Sequence, residues 1–80
     1  MAARAFVLIE TKPGKAKDVA NILKEAGSGV ISVDPVTGPY DIIAIIEANE
    51  LNDIGELVTG KIHPIDGISR TVTCLAIRAA

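Results

Sequence analysis

The chain has 80 residues, with 8 Lys+Arg against 10 Asp+Glu, one His, one Cys and no Trp. A chain this short makes one domain with little room for both a core and a deep pocket, and one cysteine excludes an internal disulfide or a Cys-rich zinc site. A net charge of −2 offers no electrostatic footprint for a phosphate backbone, so unaided nucleic-acid binding is not expected.

Apolar residues make up 49 % of the chain and aromatics 2 %, so the hydrophobicity is aliphatic, with 12 Ile and 7 Val. That bias favours strands, and it is a great deal of apolar surface for so small a domain. The first strand is expected at residues 5–9, where Ala5, Phe6, Val7, Leu8 and Ile9 form an uninterrupted apolar run between Arg4 and Glu10. Such a run reads as a strand buried on both faces. It is too short for a membrane span or a signal-peptide core, and the expected compartment is the cytoplasm. Lys12, Pro13, Gly14 and Lys15 form a turn.

The period then becomes helical. Ala16, Val19, Ala20, Leu23 and Ala26 recur on one face, Ile22 widens that face, and Gly27, Ser28 and Gly29 stop the helix. Val30 to Val33 begin a second strand, and Pro35, which cannot donate to a ladder, places it at a sheet edge. Thr37, Gly38 and Pro39 turn the chain. Tyr40 and Asp41 then lead into residues 42–46, a second all-aliphatic strand. A second helix is expected over residues 51–62, with Leu51, Ile54, Val58 and Ile62 inward and Asn49 or Asn52 as its N-cap. His63 and Pro64 open the exit loop. Residues 68–78 form the last strand, where Thr71, Thr73, Leu75 and Ile77 alternate with Arg70, Val72, Cys74 and Ala76.

The order β-α-β-β-α-β is that of a ferredoxin-like fold in the α+β class. It predicts a four-stranded antiparallel sheet with two helices on one face, of the dimeric α+β barrel type. Two βαβ crossovers are expected to make the first and third strands a central, parallel pair. A solvated sheet face would place polar residues at alternate positions of the central strands, and neither run has any. The open face is therefore expected to be covered by a second copy of the chain.

No catalytic set emerges. Residues 55–61 match the start of a phosphate-binding P-loop, but Ile62 stands where Ser or Thr would reach Mg²⁺, and the stretch lies within a helix. His63 has no carboxylate at ligand spacing, and Cys74 has no basic neighbour in sequence and reads as an inert buried thiol. No metal or cofactor is expected. The turn through Gly38, Tyr40 and Asp41 has two readings: a plain hairpin turn, or a binding loop. In the second, Gly38 exposes backbone, Tyr40 covers an apolar group and Asp41 accepts from an ammonium.

The Thr37-Gly38-x-Tyr40-Asp41 pattern leading into an aliphatic strand resembles the effector-binding domain of the Lrp/AsnC transcription regulators. Lys12-Pro13-Gly14, Ile65-Asp66-Gly67-Ile68 and Thr71-Val72-Thr73 extend the resemblance over most of the chain. The resemblance implies a domain that dimerises through its sheets, assembles further into rings of dimers, and binds a small amino acid between dimers. Carried over by position, Gly38, Tyr40 and Asp41 would contact the ligand, with Thr71 and Thr73 as further candidates. Pro39 fills the variable position and removes a backbone donor. Only four residues precede the first strand, so the chain resembles the stand-alone effector modules of that family, without a DNA-binding domain. It would then modulate a full-length Lrp/AsnC-type regulator by co-assembly. Two rival readings are a small α+β barrel enzyme of isomerase or monooxygenase type, using His63 or Tyr40 for acid–base work, and a ligand-free architectural subunit.

Overall fold

The apolar run at residues 5–9 forms the middle of β1 (Ala3–Thr11), and the run at 42–46 forms most of β3 (Ile42–Ala48). The computed structural model describes residues 2–27 and 29–77. Its other elements are α1 (Ala16–Glu25), β2 (Val30–Pro35), α2 (Leu51–Leu57), which continues into a π-helical turn (Val58–Ile62), and β4 (Ile68–Leu75). The strands form one sheet in the order β2-β3-β1-β4, with every neighbouring pair antiparallel. This is the ferredoxin-like α+β arrangement. Both aliphatic runs are central, and Pro35 ends an edge strand, where its missing N–H costs no ladder bond.

The central pair is antiparallel, which corrects the expectation that the first and third strands run parallel. The β2–β3 hairpin reverses the chain, and β3 inserts between β1 and β2. Each crossover therefore joins parallel strands that are not neighbours.

One face of the sheet is fully buried. Ala5, Val7 and Ile9 of β1 and Ile42, Ala44 and Ile46 of β3 have no exposure, and they meet Val19, Leu23, Ile54, Val58 and Ile62 of the helical segments. Each of these larger aliphatic side chains contributes roughly 1.5–3 kcal/mol by leaving water. The register puts Phe6 beside Ile45 and Cys74, and Leu8 beside Ile43 and Val72, on the opposite face. That face carries no helix. Phe6 is 37 % and Val72 36 % exposed, so the apolar surface foreseen from the two runs lies bare in a single chain. Arg4 and Glu47, paired across β1 and β3, form an ion pair at one end of the sheet, whereas Glu10 and Arg70, register partners across β1 and β4 at the other end, do not.

Several local expectations need correction. Leu51 is 58 % exposed and Ile22 45 %, so neither belongs to the core. Leu51 opens α2 shortly after β3 ends, and Leu57 packs against the core from the helical face instead. Neither asparagine caps α2: the N-cap is Glu50, in an extended conformation and with no side-chain cap bond. Cys74 is exposed rather than buried, because it lies on an edge strand and on the helix-free face. The last strand stops at Leu75. Ser28 and Arg78, assigned from sequence to the helix stop and the strand end, lie outside the described residues.

Gly67, just before β4, is held by its surroundings. Its φ is +102°, and a Cβ there would sit 3.1 Å from both Lys15 Cβ and Val19 Cγ2. Its carbonyl also accepts from Lys12 N–H at 2.7 Å, which ties the first turn to the last strand. Gly67→Ala combines left-handed strain with crowding against α1 and is expected to cost about 2 kcal/mol. A urea midpoint unchanged from the parent would refute that.

Candidate functional site

The loop joining β2 to β3 is closed by its own backbone. Val36 N–H donates to Asp41 O, and Asp41 N–H donates to Ile9 O, both at 2.9 Å. At its tip, Gly38 has φ +121°, and a Cβ there would meet nothing within 4 Å. The turn therefore needs glycine for its backbone conformation and leaves open space beside it.

Asp41 serves the framework. Its Oδ2 accepts from Thr11 N–H at 2.8 Å and from Thr11 Oγ1 at 3.1 Å. Thr11 follows the irregularity between Glu10 and Thr11 in the β1–β4 register, where the ladder would otherwise leave a donor unpaired. Both bonds fall on one carboxylate oxygen, so Oδ1 keeps its acceptor capacity.

Tyr40 is half-buried, and its hydroxyl accepts from Arg70 Nη2 at 3.3 Å. The Arg70 guanidinium carbon lies 5.6 Å from the centre of the Tyr40 ring, within cation–π range. Residues 30 apart in sequence are joined because the loop folds back over the end of β1 toward β4.

Thr71 and Thr73 occupy different ground. They pair with Ile9 and Val7, so they share the sheet face covered by the helices, whereas Arg70 shares the open face with Glu10. Thr71 Oγ1 is 2.9 Å from His63 Nε2, and Thr73 is exposed. His63 reaches Thr71 from the π-helical turn, whose closing bond runs from His63 N–H to Val58 O at 2.8 Å. Within one chain, then, Gly38, Tyr40 and Asp41 form one cluster, and Thr71 with His63 forms another on the other side of the sheet.

Thr11 and Arg70 were missed by sequence reading. Neither carries a local signal, since each meets the loop only through the tertiary fold. Away from this loop, a cleft of about 680 Å³ lies between the end of β3 and α2, lined by Gly29, Glu47, Asn49, Glu56, Leu57 and Lys61 among others. None of the sequence-predicted residues lines it. Among the described residues, no group of three or more His, Cys, Asp or Glu is placed to hold a metal ion, and no helix is long and apolar enough to cross a membrane.

Comparison with known proteins agrees with this fold. Residues 4–80 match the model of the Lrp/AsnC ligand binding domain. An HTH-type transcriptional regulator of Pyrococcus furiosus is 33 % identical over 75 residues, covering 90 % of this chain and 49 % of the relative. The chain thus spans about half the length of the curated relatives it matches. The Thermus thermophilus protein TTHA0845 superposes with a TM-score of 0.89 at 33 % identity, covering 98 % of this chain and 96 % of that one. E. coli AsnC does so with a TM-score of 0.80 at 26 % identity, covering 95 % and 51 %. This chain belongs to the Lrp/AsnC ligand-binding domain family.

Proposed function

We propose that the chain is an amino-acid-responsive regulatory module, a single effector-binding and oligomerisation domain rather than an enzyme. In this reading two copies pair through their open sheet faces, as in a dimeric α+β barrel, and the dimers assemble further. A small amino acid binds between dimers beside the loop carrying Gly38, Tyr40 and Asp41, and the occupied assembly modulates full-length Lrp/AsnC-type regulators in the cytoplasm. With a net charge of −2, it acts through protein contacts rather than on DNA directly.

The observation that carries the reading is the match to a ligand-binding domain along residues 4–80. Two structural features support it. The helix-free face is apolar at its centre, with Phe6, Leu8, Ile43 and Ile45 on the two middle strands. The Gly38 tip leaves room for a ligand, and Asp41 Oδ1 is a charged acceptor for an ammonium. Thr71 and Thr73, on the other face, would contribute only if a neighbouring dimer brings that face to the loop.

A thermal-shift screen of the twenty amino acids tests the proposal. An effector present at 100 times its Kd should stabilise the folded protein by about 2.7 kcal/mol. Absence of a response to any of them would overturn the sensing role. A monomer by light scattering at low micromolar concentration would overturn the assembly.

A further inference from the structure

We infer that Arg70 is the residue that recognises the carboxylate of the effector. The inference rests on the amino-acid-sensing reading and adds to it a specific group and a chemical class of ligand. Arg70 occupies edge strand β4 and is exposed. Its guanidinium lies 5.6 Å from the ring centre of Tyr40, and one of its five N–H donors goes to the Tyr40 hydroxyl. Contact with the ring and the hydroxyl holds a long side chain beside the Gly38 loop and leaves most of its donors unused.

The charge arrangement at this loop is complementary to a zwitterion. Asp41 commits Oδ2 to Thr11 and leaves Oδ1 open to an ammonium. Arg70 makes no ion pair among the described residues, where the one salt bridge is Arg4–Glu47 at the far end of the sheet. Glu10 stands opposite Arg70 in the ladder without forming that pair. A guanidinium with a free fork of donors matches a carboxylate bidentately. Asp41 follows Tyr40 in the chain and Arg70 contacts the Tyr40 ring and hydroxyl, so in this proposal the ring flanks a ligand held by both charges. The ligand class that fits is therefore a free α-amino acid rather than an amine, an amide or a peptide-bound residue.

The test is a cycle between protein and ligand. The probes are the amino acids that give the largest thermal shifts and their α-carboxamides, each titrated against the parent protein and Arg70→Gln. In the parent, the free acid should bind at least about tenfold more tightly than its amide, the effect of a charge-assisted pair. In Arg70→Gln that ratio should collapse to near one, with the amide's own affinity unchanged. A ratio that persists in Arg70→Gln overturns the assignment while leaving the sensing role intact. A lack of response to every amino acid in the parent overturns both. Two controls exclude a structural role. Glu10→Gln should keep the acid–amide ratio, and loss of the ratio there would show that Arg70 acts through that neighbour and overturn direct recognition. Arg70→Gln should keep the parent's oligomeric state by light scattering, and dissociation would make Arg70 an interface group and overturn the inference.

Discussion

Ile45→Asp is expected to convert the proposed face-to-face dimer into monomers. Ile45 lies on central strand β3, facing Phe6 of β1 across the ladder on the side that carries no helix. In a face-to-face pair each protomer would bring one carboxylate into the apolar centre with no partner in reach. Burying an unpaired charge costs several kcal/mol even after local relaxation. Two copies together should weaken association by about 4 kcal/mol or more, roughly a thousandfold in Kd. Sedimentation or light scattering at micromolar concentration measures this. Asn21→Asp, which places the same charge on exposed α1, should leave the dimer intact. Because Ile45 lies outside the helix-side core, far-UV dichroism should be unchanged. A dimer that survives Ile45→Asp would mean that another surface mediates assembly.

Asp41→Ala is expected to destabilise the fold even in the absence of any effector. The substitution strands the Thr11 N–H and hydroxyl, which share Asp41 Oδ2. Hydrogen bonds to a charged acceptor are worth about 1.5–3 kcal/mol, and a half-buried donor left unpaired adds a desolvation cost. A loss of about 2–3 kcal/mol in an 80-residue domain should lower Tm by about 10 °C or more. Asp41→Asn keeps an acceptor without the charge and should lose roughly half as much. Thr11→Ala should cost less in the Asp41→Ala background than alone, because the two residues form one unit. A parent-like Tm for Asp41→Ala would show that the carboxylate is free of the framework. The result bears on function, since a lost effector response in this variant has to be read against its lost stability. Asp41→Asn, with the smaller stability cost, is the better probe of ammonium recognition.

The π-helical turn illustrates how far sequence pattern reaches. Ile54, Val58 and Ile62, all buried, keep a four-residue spacing through the end of α2, and that spacing is visible in the sequence. The change from α to π winding at Val58 is not visible, nor is the contact that His63, at the end of that turn, makes with Thr71. Gly55 and Gly60 have ample room for a side chain, so neither marks a packing constraint that would have signalled the change.

What the sequence determined by itself was local burial and its consequences. Two aliphatic runs had to occupy the two central strands, since only there are both faces of a strand covered or available to be covered. A proline had to lie on an edge. Apolar residues at successive positions of both runs had to leave one sheet face apolar and uncovered by the helices. Periodicity reports these things because each depends on a residue and its near neighbours. The tertiary structure decided strand direction, the bonds from Thr11 to Asp41, the contact of Arg70 with Tyr40, and the placement of Thr71 and Thr73 on the other side of the sheet. Those outcomes depend on the register between β1 and β4 and on the irregularity at Glu10 and Thr11. Register is set by long-range packing across about 30 residues or more of intervening chain, where a one-residue slip would exchange the two faces.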